Sequence, residues 1–206
     1  MNNALDLYEK YHLSREDDRS GMFQILADNY SPENILYPGC FVHLTPSLFF
    51  SKATYVDMDK RAKEFFSNES VREFIESNKL YSEPAQIIFH HQDYRDNMLL
   101  EEAGYDLLIS QYAGFVSMYC SRFLKLGGHL VANNSHGDAS LASLDPHYKL
   151  VSVIHRRGNH FRIHRDHLDL YLIPKKGSEI TREALLASGR GVGYSRPAFA
   201  YIFERI

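Results

Sequence analysis

The chain has 206 residues, 44% apolar and 24% charged, with a net charge of −3. Those values suit one ordinary domain with a sizeable core, and they exclude a disordered chain and a polycation drawn to nucleic acid by its overall charge. No run approaches the roughly 18 apolar residues of a membrane span, and the opening MNNALDLYEKYH lacks the basic-then-apolar pattern of a secretion signal.

Residues 2–30 read as a polar arm of two short helices, about Asn3–His12 and Gly21–Tyr30, with Asp6, Glu9, Asp17 and Asp18. Ser31-Pro32 separates this arm from a main domain over 31–206. Ile35, Leu36 and Tyr37 form a short apolar strand stopped by the turn pair Pro38-Gly39. A short helix follows, then a second strand over Ala53–Val56, closed by Asp57. A glycine there lets backbone approach a ligand, and a helix N-terminus offers unpaired N–H groups. Asp57 lies 57 − 39 = 18 residues further on. A carboxylate at about that offset accepts hydrogen bonds from a ribose diol. The plain alternative for Asp57 is a helix N-cap.

Asp59–Asn78 is helical in pattern, with Ala62, Phe65, Phe66, Val71, Phe74 and Ile75 spaced by threes and fours. Its Asn68-Glu69-Ser70 matches a glycosylation acceptor by chance, since no secretion signal accompanies it. Ala85–Phe89 is a third strand, followed by His90-His91-Gln92-Asp93-Tyr94. Asn97–Ala103 reads as a short helix ending at Gly104. Tyr105–Ile109 is a fourth strand, ending in Ser110-Gln111-Tyr112. Ala113–Leu126 reads as helix closed by Gly127-Gly128, and His129–Ala132 as a fifth strand running into Asn133–Gly137. Lys149–Ile154 and Leu168–Ile173 are strand-like, Thr181–Ala187 is a short helix, Gly189–Gly193 a turn and Ala198–Phe203 a terminal strand. Strands alternating with helices in this way predict an α/β fold: a three-layer, doubly wound, mostly parallel sheet. Ligands of such sheets bind outside the carboxyl ends of the strands.

At four places the chain resembles the class I S-adenosylmethionine (SAM)-dependent methyltransferases. Leu36-Tyr37-Pro38-Gly39-Cys40 stands where that family has its glycine-rich first motif, and Tyr55-Val56-Asp57-Met58-Asp59 where its ribose-binding acid stands. Tyr105–Ser110 looks like its fourth motif, and Phe123–Leu130, with Leu-x-x-Gly-Gly, like the approach to its fifth strand. The family has further glycines where Phe41 and His43 stand, and an acid where Tyr37 stands.

The resemblance implies a Rossmann-like sheet of about seven strands, one antiparallel near the end, taken by either Leu168–Ile173 or Ala198–Phe203. It implies SAM as cofactor, held by Tyr37, Gly39, Cys40, Phe41, Asp57, Met58, Asp93, Tyr94, Ser110 and Gln111, with Tyr112 and Asn134 on the acceptor. The arm would cover the cofactor or merely pack on the sheet edge. Methyl transfer needs mainly in-line positioning, and no residue stands out as a catalytic base. The Asp/Asn-Pro-Pro-Tyr/Phe signature of base N-methyltransferases is absent, and a small-molecule acceptor is the favoured partner. The runner-up is a non-catalytic binding protein on the same fold. An NAD enzyme needs Gly-x-Gly-x-x-Gly, which Gly39–Leu44 does not supply.

His155, Arg156, Arg157, His160, Arg162, His164, Arg165 and His167 form the densest basic cluster. A solvated basic hairpin is its main reading and binding of RNA or another anion its minor one. A zinc site at His160, His164 and His167 is disfavoured, because Phe161 and Ile163 read as strand and separate the imidazoles. His164-Arg165-Asp166 is similar to a kinase catalytic loop, but no other kinase motif accompanies it. Cys40 and Cys120 supply neither a disulfide framework nor a four-cysteine metal site, so a cytoplasmic setting is the default. Cys40 reads as a small buried turn residue rather than a nucleophile.

Overall fold

The computed structural model describes residues 4–13, 19–175 and 179–206. The expectations on Asn3, Asp17 and Asp18 lie outside these residues. The chain divides into two compact units, one running to Met98 and including Gly158–His160, the other holding Leu99–Arg157 and Phe161–Ile206.

The first unit opens with α1 (Leu5–Tyr8), a π-helical turn over Glu9–Leu13, and α2 (Ser20–Tyr30). Ser31 ends α2 in the left-handed conformation at φ 45°. Then come β1 (Asn34–Pro38), a 3-10 turn over Thr45–Leu48, β2 (Lys52–Asp57), α3 (Lys60–Phe66), α4 (Glu69–Asn78) and β3 (Gln86–His91). The strands lie in the order β3-β2-β1, all parallel, with Leu36 opposite Thr54 and Thr54 opposite Ile88. Ile35, Leu36 and Tyr37 are all buried, as the uninterrupted apolar run of a parallel strand requires. The helix expected over Asp59–Asn78 is two helices. The Asn68 side chain accepts from Ser70 N at 2.9 Å and caps a new start, the competition with the helical backbone that Asn offers.

The second unit holds β4 (Tyr105–Ser110), α5 (Val116–Cys120), a 3-10 turn at Ser121–Phe123, β5 (Leu124–Ala132), α6 (Asp138–Ala142), β6 (Tyr148–Arg157), β7 (His160–His164), a 3-10 turn at Leu168–Leu172, α7 (Arg182–Ser188) and β8 (Ala200–Arg205). The order is β4-β5-β8-β6-β7, with β4 and β5 parallel and β8 antiparallel to both of its neighbours. The terminal segment is therefore the antiparallel strand, and Leu168–Leu172 is a 3-10 turn. Eight strands are described rather than about seven, because the basic hairpin contributes β7.

Two further expectations fail locally. Asn97–Ala103 forms no helix. Leu99 is 92% exposed and Ala103 sits at φ 50°, so the segment has no apolar stripe to bury. The long helix expected up to Leu126 stops at Cys120, and Gly127-Gly128 lie inside β5. Gly127 takes φ 75° where the pairing with β4 shifts register, jumping from Tyr105–Leu124 to Leu107–His129.

Candidate functional site

In the first unit the site is built on the turn after β1. Gly39 and Phe41 both take positive φ, 66° and 47°. Gly39 N donates to Val56 O at 2.8 Å, fastening the turn to β2. Phe41 N donates to Asp57 Oδ2 at 2.7 Å, and Asp59 N donates to Asp57 Oδ1 at 2.8 Å. Asp57 is thus a strut between two loops. Each of its oxygens keeps one lone pair for a further donor.

Bulky side chains stand around this turn, at positions where the resemblance implied glycines. The Phe41 ring lies edge-on to Tyr11 at 5.2 Å and under the Arg61 guanidinium at 4.7 Å. Arg61 in turn reaches the Asp59 carboxylate with Nε and Nη2. His43 is buried, with Nδ1 3.0 Å from Tyr37 Oη and its ring stacked on His12 at 4.2 Å. Burial, followed by His12 and Arg19, holds the His43 imidazole well below its usual range, so it stays neutral. Cys40 is 2% exposed, and burial followed by the Asp57 charge pushes its thiol well up. A thiol so placed is inert, as a small turn residue is.

Met58, 63% exposed, leaves β2 with a free thioether face, and its carbonyl oxygen lies 3.0 Å from His91 Nε2. Asp93 is turned onto Arg95, accepting from its backbone N at 2.9 Å and pairing with its guanidinium. Those bonds hold its carboxyl below the usual range. Tyr94 stands half-buried in the same turn.

In the second unit Ser110, Gln111 and Tyr112 follow one another off β4. Gln111 is 3% exposed, yet neither amide atom has a hydrogen-bond partner. Beside it Asn133 leaves β5, its backbone N donating to Ser110 O at 3.0 Å. Asn133 is also buried, and its Nδ2 has no partner. Each such orphan costs about 1–3 kcal/mol, so two buried carboxamides at adjacent strand ends call for an explanation. Tyr112 is 49% exposed at φ 60°.

Sequence reasoning named Gln111 but missed Asn133 and Asp138. Asp138 opens α6, is 2% exposed, and accepts from the hydroxyls of Ser110 and Ser117 and from Ser117 N. Burial pushes its carboxyl up to about 6, against the pull of those donors. The rule that picked out Asp57, an acid where a strand end meets a helix, also fits Asp138. Asn134 is engaged in the fold: its Oδ1 accepts from Ser140 N and Oγ, and its Nδ2 donates to Val192 O at 2.8 Å. Gly191 lies against it so closely that a Cβ there would stand 1.9 Å from Asn134 O.

The basic segment is the β6–β7 hairpin, with Arg157, Arg162 and Arg165 exposed. Arg156 instead lies over the rings of Phe161 and Phe199, and His155 Nε2 sits 2.8 Å from Tyr171 Oη. Among the described residues no three His, Cys, Asp or Glu side chains are grouped to hold a metal ion. No described helix is long and apolar enough to cross a membrane.

No family model matches the chain, and no curated protein matches it. Solved structures do. A methyltransferase from Geobacter sulfurreducens superposes with TM-score 0.52 at 16% identity, over 78% of this chain and 85% of its own. The N-methyltransferase NodS from Bradyrhizobium japonicum WM9, in complex with S-adenosyl-L-homocysteine (SAH), superposes with TM-score 0.51 at 15% identity, over 79% of this chain and 90% of its own. At these identities the likeness is one of fold: the chain has the Rossmann-like methyltransferase fold.

Proposed function

We propose that this protein binds SAM and transfers its methyl group to a small-molecule acceptor. The observation that carries this reading is the strut from Asp57 to Phe41 N, which joins the turn after β1 to the acid ending β2 in a chain of methyltransferase fold. The turn offers main-chain N–H groups to a carboxylate, and the open lone pairs of Asp57 suit a ribose diol. The exposed Met58 thioether suits the face of an adenine. Asp93 and Tyr94 follow β3 in the same unit. In the other unit the unpartnered Gln111 amide is the group best suited to orient a polar reactant, with Ser110 beside it.

Bound SAM supplies an activated methyl on a sulfonium. The protein's part is to align the acceptor and exclude water. Asp138, neutral below about pH 6, is the buried acid on the β4 side, and Ser110 couples it to the strand end. NodS, an N-methyltransferase seen with SAH, supports the cofactor through fold alone.

A second reading has its own observation. Phe41 and His43 stand where the family has glycines, and Tyr11 and His12 pack on them. A turn filled in this way suits a non-catalytic binding protein. Incubation with methyl-labelled SAM and a panel of phenol, amine, thiol and carboxylate acceptors separates the two. Label recovered in a small-molecule product is expected. SAM binding without transfer to any acceptor favours the second reading.

A further inference from the structure

A cleft of about 180 Å3 opens where α3, α4 and β3 meet in the first unit. Lys63 and Ser67 come from the end of α3, Arg72 from the first turn of α4, and Phe89 and His91 from one face of β3, two residues apart. The helix break at Asn68 makes the cleft, since one continuous helix over Asp59–Asn78 would have no turn there. Its floor is aromatic. Tyr55 stacks on Phe66 at 4.5 Å and Phe66 on Phe89 at 5.0 Å, and the stack ends on the half-exposed Phe89.

The rim is cationic. No carboxylate lines the cleft, although the chain carries a net charge of −3. Lys63 and Arg72 make no ion pair among the described residues. Both side chains are exposed, so an anion seated over the aromatic floor is within the compass of either cation. The guanidinium and ammonium donors suit a carboxylate or a phosphate group. The volume lies below the roughly 300–1,000 Å3 of sites for drug-sized ligands, so the occupant is one ring with one anionic group. None of the residues assigned to SAM lines the cleft.

We propose that this cleft is a second ligand site, taking a small aromatic anion whose ring extends the stack on Phe89 and whose charge meets Lys63 and Arg72. The proposal does not depend on methyl transfer. The test is an NMR titration of the full chain, following backbone amides, with benzoate, phenyl phosphate, benzamide and inorganic phosphate in separate arms. Benzoate or phenyl phosphate is expected to shift Ser67, Arg72 and Phe89 saturably, and the tighter of the two tells a carboxylate from a phosphate ligand. Benzamide and inorganic phosphate, each lacking one half of the recognition, are expected to bind roughly tenfold or more weakly. Arg72→Gln and Lys63→Gln change exposed side chains, leave the fold intact, and each weaken the aromatic anion by roughly tenfold. No saturable shift with either aromatic anion overturns the proposal. So does benzamide or inorganic phosphate binding equally well, or Arg72→Gln binding unchanged.

Discussion

Replacing Asp57 tests the geometry of the candidate site at its strut. Asp57→Ala removes the acceptor of both Phe41 N, at 2.7 Å, and Asp59 N, at 2.8 Å. Phe41 stays at φ 47° only while its surroundings hold it there. Hydrogen bonds to a charged group are worth about 1.5–3 kcal/mol each. The turn is half-open to water, so the lower value applies and the two together give about 3 kcal/mol. For a chain of this size that corresponds to a fall in Tm of about 6–12 °C. Asp57→Asn keeps one acceptor oxygen and is expected to lose about half as much. Urea unfolding of the three proteins measures these differences, with an unchanged m-value showing that the transition is the same. An Asp57→Ala protein within about 0.5 kcal/mol of the parent refutes the strut, because that is the level of an ordinary surface substitution.

Three other outcomes follow from buried groups. Burial lifts the Asp138 carboxyl from 3.8 to about 6, so the stability it contributes is full below pH 3.8 and is lost as pH rises through about 6. At about 1.36 kcal/mol per pKa unit, Asp138→Asn is expected to gain about 3 kcal/mol on the parent between pH 3 and pH 8, and a flat difference contradicts the assignment. His43 is shifted the other way, mainly by burial. Stability is therefore expected to fall as pH drops below about 6.5, where the unfolded imidazole takes up a proton. His43→Gln, which keeps an acceptor for Tyr37 Oη, is expected to flatten that slope in melting curves from pH 7.5 to 5. Gln111→Met removes two unpartnered buried polar atoms and is expected to raise stability by about 1 kcal/mol in urea while abolishing methyl transfer. A destabilised but active variant would show Gln111 to be an ordinary core residue.

The first two strands, β1 and β2, were legible because they are buried on both faces. Ile35–Tyr37 is an uninterrupted apolar run and Ala53–Val56 a run of strand formers, each with turn residues at its end, and both appear within a residue or two of their expected bounds. Asp57 was legible from its place at a strand end. Its bond to Phe41 N was not, since nothing in local sequence says which loop a carboxylate will reach. The helix over Asp59–Asn78 misled because its apolar spacing continues across Ser67-Asn68, while the cap bond of Asn68 decides the break. Gly127-Gly128 read as a helix stop, yet the pair sits in a strand whose register jumps there. Leu168–Ile173 alternated like a strand, but Leu170 is 38% exposed and the segment coils into a 3-10 turn. The orphaned amides of Gln111 and Asn133 are a property of packing, which periodicity does not report.

The most direct test of the account is calorimetric titration of the intact chain with SAH, alongside SAM and NAD. Saturable one-to-one binding of SAH and SAM is expected, none of NAD, and SAH affinity weakened about tenfold or more in folded Asp57→Asn. No binding heat with SAH or SAM at millimolar concentration, or undiminished SAH affinity in Asp57→Asn, would contradict it.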